Sequence, residues 1–335
     1  MRIALVAPAP GVTVPPVAYG GIEREVADLA LALVQRGHEV TVFGVPHPEH
    51  SKEAFGFDIV RLFTENDALT HLDELHQFDV VHDWQHLKPL RLARLRNYLS
   101  TTLWTDMRSG RDVYPSRAAR DAFKDPGAPI VPLGVRIPEA VEEPESADWP
   151  EYLVPGRIAA FKGTDLAMSI AEQFLPDGAR LTVAGYVGAL ADTYPGDSTF
   201  FSLGIRRRCQ KRRWDFVQNP PEMEPFMAGC SGVLHLQRWL ESFGLVIADA
   251  LVRGIPVLTT DQGSPREMVR ETDGGFAIPL KRLDMGDFSD PLIPAFFRIY
   301  WGAGRAGIAK RARALYDINV VVRQFEKLYE RGLPG

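Results

Sequence analysis

Along the chain, short apolar runs alternate with stretches in which apolar residues recur every three or four positions. Ile3 to Ala7 is the first run, the form taken by a strand buried on both faces of a parallel sheet. A Pro- and Gly-rich loop follows from Pro8 to Gly21, after which Ile22, Val26, Leu29, Ala30 and Leu33 line one side of a helix. Gly37 stops that helix, and Val40-Thr41-Val42-Phe43 reads as the next strand. A strand, loop, helix and strand in this order predict parallel pairing with the helix laid on a sheet face. Further strands are predicted at Asp79–His82, Thr101–Trp104 and Pro129–Val131.

The pattern breaks at Pro138 to Glu145, which is acidic, punctuated by proline and poor in large apolar residues, as a linker is. A second β/α series begins beyond it. Strands are predicted at Glu151–Val154, Leu181–Ala184, Gly232–Leu236 and Ile255–Leu258, and helices at Thr164–Phe174, Leu245–Val252 and Val320–Arg331. The predicted fold class is α/β: two Rossmann-like β/α/β domains, residues 1–145 and 146–315, facing across a cleft. The terminal helix, 316–335, is expected to pack back toward the first domain. In such sheets ligands bind beyond the carboxyl ends of the strands.

Composition narrows the chemistry. With 38 Lys+Arg against 43 Asp+Glu the formal charge is −5, so bulk charge does not favour nucleic acid, and no nucleic-acid partner is expected. Cys209 and Cys230 are too few for a disulfide framework or a four-thiolate zinc site. No apolar stretch approaches the ~20 residues that span a bilayer, and Pro8 interrupts the first run too early for a signal peptide. A cytoplasmic location is expected. Arg206 to Arg213 is strongly basic; its position suits a solvated helix face, with weak peripheral contact to an anionic membrane as the alternative if the acceptor is lipid-linked.

The first strand is not followed by Gly-x-Gly-x-x-Gly, which argues against a nicotinamide cofactor, and no P-loop occurs. There is no Asp-x-Asp to hold a divalent metal on a diphosphate. Instead Gly156-Arg157-Ile158-Ala159-Ala160-Phe161-Lys162-Gly163 places two cations between a strand and the head of a helix, where amides and the dipole favour anions. Farther on, Glu241-Ser242-Phe243-Gly244-Leu245-Val246 leads into a helix containing Asp249, whose first-turn N–H groups lack intrahelical partners. Cations and amides hold phosphate while carboxylates accept from hydroxyls, so the set suits a diphosphate joined to sugars.

These segments resemble the retaining family 4, or group 1, glycosyltransferases of the GT-B fold. The resemblance rests on Pro15 to Glu23 with Gly20-Gly21, on Gly156-Arg157 with Lys162-Gly163, and on Trp239 through Asp249. Gly254-Ile255-Pro256-Val257 and Gly263-Ser264-Pro265-Arg266-Glu267 follow in the family's order. The resemblance implies an acceptor-side first domain and a second domain that binds the nucleotide sugar. Arg157 and Lys162 would stabilise the leaving diphosphate, Glu241 would bind donor-sugar hydroxyls, and Asp249 would bind the ribose. The amides of Phe243, Gly244, Leu245 and Val246, with Gly20 and Gly21 of the first domain, would contact phosphate. It implies no metal, no cofactor and a nucleotide-diphospho-sugar donor, while the carbohydrate or natural-product acceptor stays open among a small natural product, an antibiotic oligosaccharide and a cell-surface glycan intermediate.

Three departures from the family pattern stand out. Asp249 replaces a glutamate and is shorter by about 1.5 Å. Trp84 follows Asp79 to Asp83, and Trp104 replaces a histidine that faces the donor sugar. His82 and Asp106 are therefore candidate substrate contacts, while Trp84, Trp104 and Tyr19 either stack on an acceptor or fill the core. His235 reads as a hydrogen-bonded core histidine. Two other classes remain open: a GT-B sugar-nucleotide-binding partner subunit that has lost catalysis, and a sugar-nucleotide epimerase.

Overall fold

The computed structural model describes residues 1–8, 12–17, 20–85, 92–103, 109–137, 150–187, 199–299 and 304–331. The chain divides into two units: residues 1–136 together with 315–335, and residues 137–314. The linker read at Pro138 to Glu145 lies outside the described residues, as do Tyr19, Trp104 and Asp106.

The first unit carries seven strands: β1 (Arg2–Val6), β2 (Thr13–Val14), β3 (Glu39–Pro46), β4 (Asp58–Arg61), β5 (Val80–Asp83), β6 (Tyr98–Thr101) and β7 (Asp112–Val113). They form one sheet in the order β2-β3-β1-β5-β6-β7, with β4 also paired to β3, and every pairing is parallel. Ile3 to Val6 of β1, flanked on both sides, are fully buried, which is why that run is apolar without alternation. Helix Gly21–Gln35 buries Val26, Leu29, Ala30 and Leu33 as its periodicity requires.

Two strand predictions need correction. The strand expected at Thr101–Trp104 runs instead over Tyr98–Thr101, because Tyr98 pairs with Val81 and its hydroxyl donates to Asp83 at 2.6 Å. Pro129–Val131 makes only an isolated bridge, Tyr114 to Ile130. Strands β2, β4 and β7 were not legible in the sequence, since each is short or carries charged ends.

The terminal helix Ile318–Arg331 belongs to the first unit. Val321, Val322 and Phe325 are fully buried there. Glu326 accepts from Arg36 Nε at 2.6 Å and lies 2.9 Å from His38 Nε2. Tyr329 Oη lies 2.8 Å from His82 Nδ1, and the other ring nitrogen of His82 lies 2.7 Å from Thr101 Oγ1. Chain segments some 250 residues apart thus close around one imidazole.

The second unit carries β8 (Glu151–Pro155), β9 (Arg180–Gly185), β10 (Asp215–Gln218), β11 (Gly232–His235), β12 (Val257–Thr260) and β13 (Gly275–Ile278). Their order is β10-β9-β8-β11-β12-β13, again all parallel. Succession runs outward from β8 in one direction and from β11 in the other, so the strand order reverses between those two. Val154, Leu181, Val183, Leu234 and Leu258 meet Ile170, Ile205, Phe296 and Phe297 in its core. The basic run falls in helix Thr199–Arg212, where Arg206, Arg207, Lys211 and Arg212 are exposed and Ile205 and Cys209 face inward. Arg208 pairs with Glu172. No helix among the described residues is long and apolar enough to cross a membrane.

Glu23, in the first turn of helix Gly21–Gln35, is buried, and burial pushes its carboxyl up to about 7 against the lowering effect of its backbone hydrogen bond. The folded state therefore holds a proton that the unfolded chain has lost between the ordinary carboxylate range and pH 7. Stability falls as pH rises through that window, and the full cost persists above it. Glu23→Gln is expected to stabilise the protein by about 1–3 kcal/mol at pH 8 and by little at pH 4.5. Thermal unfolding of both proteins at the two pH values checks this.

Candidate functional site

The site is built where the strand order of the second unit reverses. β8 ends at Pro155 and runs through Gly156 and Arg157 into a single 3₁₀ turn, Ala160–Lys162, which feeds helix Thr164–Phe174. β11, its neighbour, ends at His235 and runs through Trp239 and Glu241 to helix Leu245–Val252. Both loops leave from carboxyl ends of adjacent strands, so residues 79 positions apart meet.

Gly163 makes the meeting physically feasible. It has φ +68°, and a Cβ there would sit 1.7 Å from the Leu236 carbonyl oxygen, so only glycine lets the turn approach β11 this closely. Arg238 locks the approach. Its guanidinium donates to both Asp165 oxygens at 2.7 and 2.8 Å, to the Ala160 carbonyl at 2.6 Å and to Asp284 at 2.9 Å. From the other side, Ser264 N–H donates to the Glu241 carbonyl at 2.9 Å, fixing the loop on helix Ser264–Thr272.

At the centre, Lys162 Nζ donates to Glu241 Oε2 at 2.5 Å, with side-chain exposures of 18% and 8%. Burial pushes the Glu241 carboxyl up, but the Lys162 ammonium, helped by the nearby His235 ring, outweighs it and holds the acid well below the usual range. His235 Nε2 stands 4.0 Å from the same Oε2, beyond hydrogen-bond range. Its side chain is 3% exposed and neither ring nitrogen has a hydrogen-bond partner. The core histidine read from the sequence is therefore buried but not hydrogen-bonded, because it sits at the strand's last position, facing the site.

Arg157 Cζ and Lys162 Nζ each lie 5.9 Å from the centre of the Phe161 ring, so one aromatic ring spaces the two cations. Phe161 in turn packs against Trp239 with centroids 5.0 Å apart, and Trp239 remains 45% exposed. The third part of the site is the head of helix Leu245–Val252. Gly244 caps it in a left-handed conformation, φ +95°, and its carbonyl accepts from Ile247 and Ala248. The Leu245 and Val246 N–H groups precede any intrahelical acceptor and are placed for an anion. Phe243 contributes its backbone only, since its side chain is buried.

Asp249 is buried within the same helix, its Oδ1 3.4 Å from Arg253 Nη1, while Arg253 also binds Glu224 at 3.0 Å. In the first unit, Gly20 precedes helix Gly21–Gln35, and a Cβ on it would meet Val12 and Pro16 at 2.5 and 2.8 Å, so close packing is what demands glycine. His82 needs correction as a substrate contact. It is fully buried, both ring nitrogens are engaged by Tyr329 and Thr101, and burial pushes it down to about 3, so it is a neutral core group. Trp84 is likewise core, 1% exposed, with its ring 4.6 Å from His82. The packing of Phe161 and Arg238 escaped the sequence; the one available signal was their place just beyond predicted strand ends.

Residues 138–291, most of the second unit, match the family described as glycosyl transferases group 1. No curated protein sequence matches the chain. Among solved structures, the chain is similar to AviGT4, a glycosyltransferase involved in avilamycin A biosynthesis, at 22% identity and TM-score 0.76, covering 98% of this chain and 97% of that one. It is also similar to Anabaena Alr3699/HepE in complex with UDP and glucose (13% identity, TM-score 0.68, 98% and 99% covered). Sucrose-phosphate synthase from Thermosynechococcus elongatus is similar at 16% identity and TM-score 0.70, with 98% of each chain covered. The fold is GT-B, and most of its second unit is similar to the group 1 glycosyl transferases.

Proposed function

We propose that the protein is a retaining, metal-independent transferase that moves a glycosyl group from a nucleotide-diphospho-sugar to a hydroxyl of a carbohydrate or natural-product acceptor. The observation that carries this reading is the grouping of Arg157, Lys162, Glu241 and the Leu245–Val246 amides beyond β8 and β11. Two fixed cations and a helix head neutralise a diphosphate without a metal, and act most strongly as the leaving oxygen gains charge. In the proposed step the bond from the sugar's anomeric carbon to the phosphate oxygen breaks. A bond to the acceptor oxygen forms on the same face, and the acceptor's proton passes to the departing diphosphate.

In this reading Glu241, held ionised, accepts from donor-sugar hydroxyls, and Asp249 from the ribose. UDP is the favoured donor base, because HepE, similar across nearly the whole chain, was solved with UDP and glucose. An antibiotic-type oligosaccharide is the favoured acceptor, because AviGT4 is involved in avilamycin A biosynthesis. The exposed cations of helix Thr199–Arg212 suit a weak contact with anionic lipid if that acceptor is lipid-linked.

Thermal unfolding with UDP, GDP, ADP and dTDP, each with and without chelator, tests the donor side. One nucleotide is expected to stabilise the protein by about 2.7 kcal/mol at 100 times its dissociation constant, equally with chelator. A shift abolished by chelator overturns metal independence. Arg157→Ala and Lys162→Ala are each expected to lower turnover by about 10²–10³-fold; near-normal rates in both remove them from catalysis. Asp249→Glu is expected to be tolerated and to tighten nucleotide binding, which a calorimetric titration reads directly. Consumption of donor without acceptor, or no nucleotide binding at all, assigns the epimerase or the inactive partner subunit instead.

A further inference from the structure

We propose that His235 is a positioning residue for the donor: it takes up one proton from solvent when the diphosphate binds and replaces Lys162 as the counter-ion of Glu241. The proposal rests on the reading above that Lys162 is a diphosphate ligand.

The site holds a conflict over one cation. Lys162 is asked to serve two anions, Glu241 now and the diphosphate on binding. Glu241 is almost wholly buried, and a buried carboxylate that loses its cation is left with an uncompensated desolvation cost of several kcal/mol. A second group already stands at the same oxygen. His235 Nε2 is 4.0 Å from Oε2, and a movement of about 1 Å brings it to hydrogen-bond distance.

Two buried ring nitrogens without partners are costly and uncommon, and they mark a group whose partner arrives later. Protonation makes both nitrogens donors, one of them directed at Glu241.

The surroundings of the ring leave this assignment clear. β11 ends on His235, and β12 offers it the neutral register partner Thr259. From the loop after β8, a Cβ on Gly156 would lie 3.8 Å from its Cε1, with the cationic Arg157 next in the chain. From the 3₁₀ turn comes Lys162, and from the segment before helix Leu245–Val252 comes Glu241, the acid within 4.0 Å of the ring among the described residues. A diphosphate drawn to Arg157 and Lys162 adds negative charge beside the imidazole and removes the cation that had satisfied Glu241. Both changes favour His235 in its charged form.

The test is calorimetric titration with UDP, GDP, ADP and dTDP at pH 8, in HEPES and in Tris, whose ionisation heats differ. At that pH the nucleotide phosphates are fully ionised, so proton exchange reports the protein. The expected result is net proton uptake on nucleotide binding, with affinity falling as pH rises from 8 to 9. In His235→Gln uptake is expected to vanish and affinity to become flat with pH. Nucleotide binding without proton uptake in the wild-type protein overturns the proposal while leaving the proposed function intact. Unchanged uptake in His235→Gln overturns it too, and the wild-type result decides if that variant does not fold. If no nucleotide binds, or Lys162→Ala binds as well as wild type, the reading beneath it fails and the proposal falls with it.

Discussion

The buried pair between Lys162 and Glu241 is the contact on which the organisation of this protein's chemistry depends. It joins two loops that share nothing in sequence and leave from the ends of adjacent parallel strands. A pair taken out of water at this depth costs desolvation of both ions, which the attraction between them repays only with good geometry. The geometry is enforced from outside the pair. Gly163 admits the Leu236 carbonyl, Arg238 ties the 3₁₀ turn to the β11 loop, and Ser264 N–H holds the Glu241 backbone. The surrounding framework is thus arranged to keep one carboxylate ionised where water is scarce.

That arrangement has a chemical logic for phosphate. A site that holds a diphosphate must present cations and amides without being filled by the protein's own anions. Here one cation is occupied by an internal carboxylate, and an uncommitted imidazole stands next to it. Arg157 is carried on the same loop, spaced from Lys162 by the Phe161 ring, and the Leu245–Val252 helix turns its positive end to the same side. The electrostatic character comes from backbone direction as much as from side chains.

The first unit uses buried polar groups differently. His82, Tyr329, Thr101, Arg36, His38 and Glu326 satisfy one another and fasten the terminal helix to the β1–β5–β6 region. Nothing in that network is left waiting for a ligand. The contrast between His82, saturated and neutral, and His235, buried with neither ring nitrogen hydrogen-bonded, lies in their partners. Burial does not distinguish them: both are less than a twentieth exposed.

The sequence by itself determined the two β/α series, because a strand covered on both faces must be apolar throughout and a helix on a sheet must be apolar at every third or fourth place. It also determined the cation pair and the Glu241 to Val246 segment, since these are local runs whose residue types carry the chemistry. What it could not determine were relations across the chain. The β6 register depends on Tyr98 reaching Asp83, His82 depends on a helix some 250 residues later, and the charge state of Glu241 depends on Lys162, 79 residues earlier. His235 shows the division most sharply. A histidine at the end of an apolar run reads the same whether its nitrogens are bonded or bare, and only the packing of β8, β11 and β12 decides which.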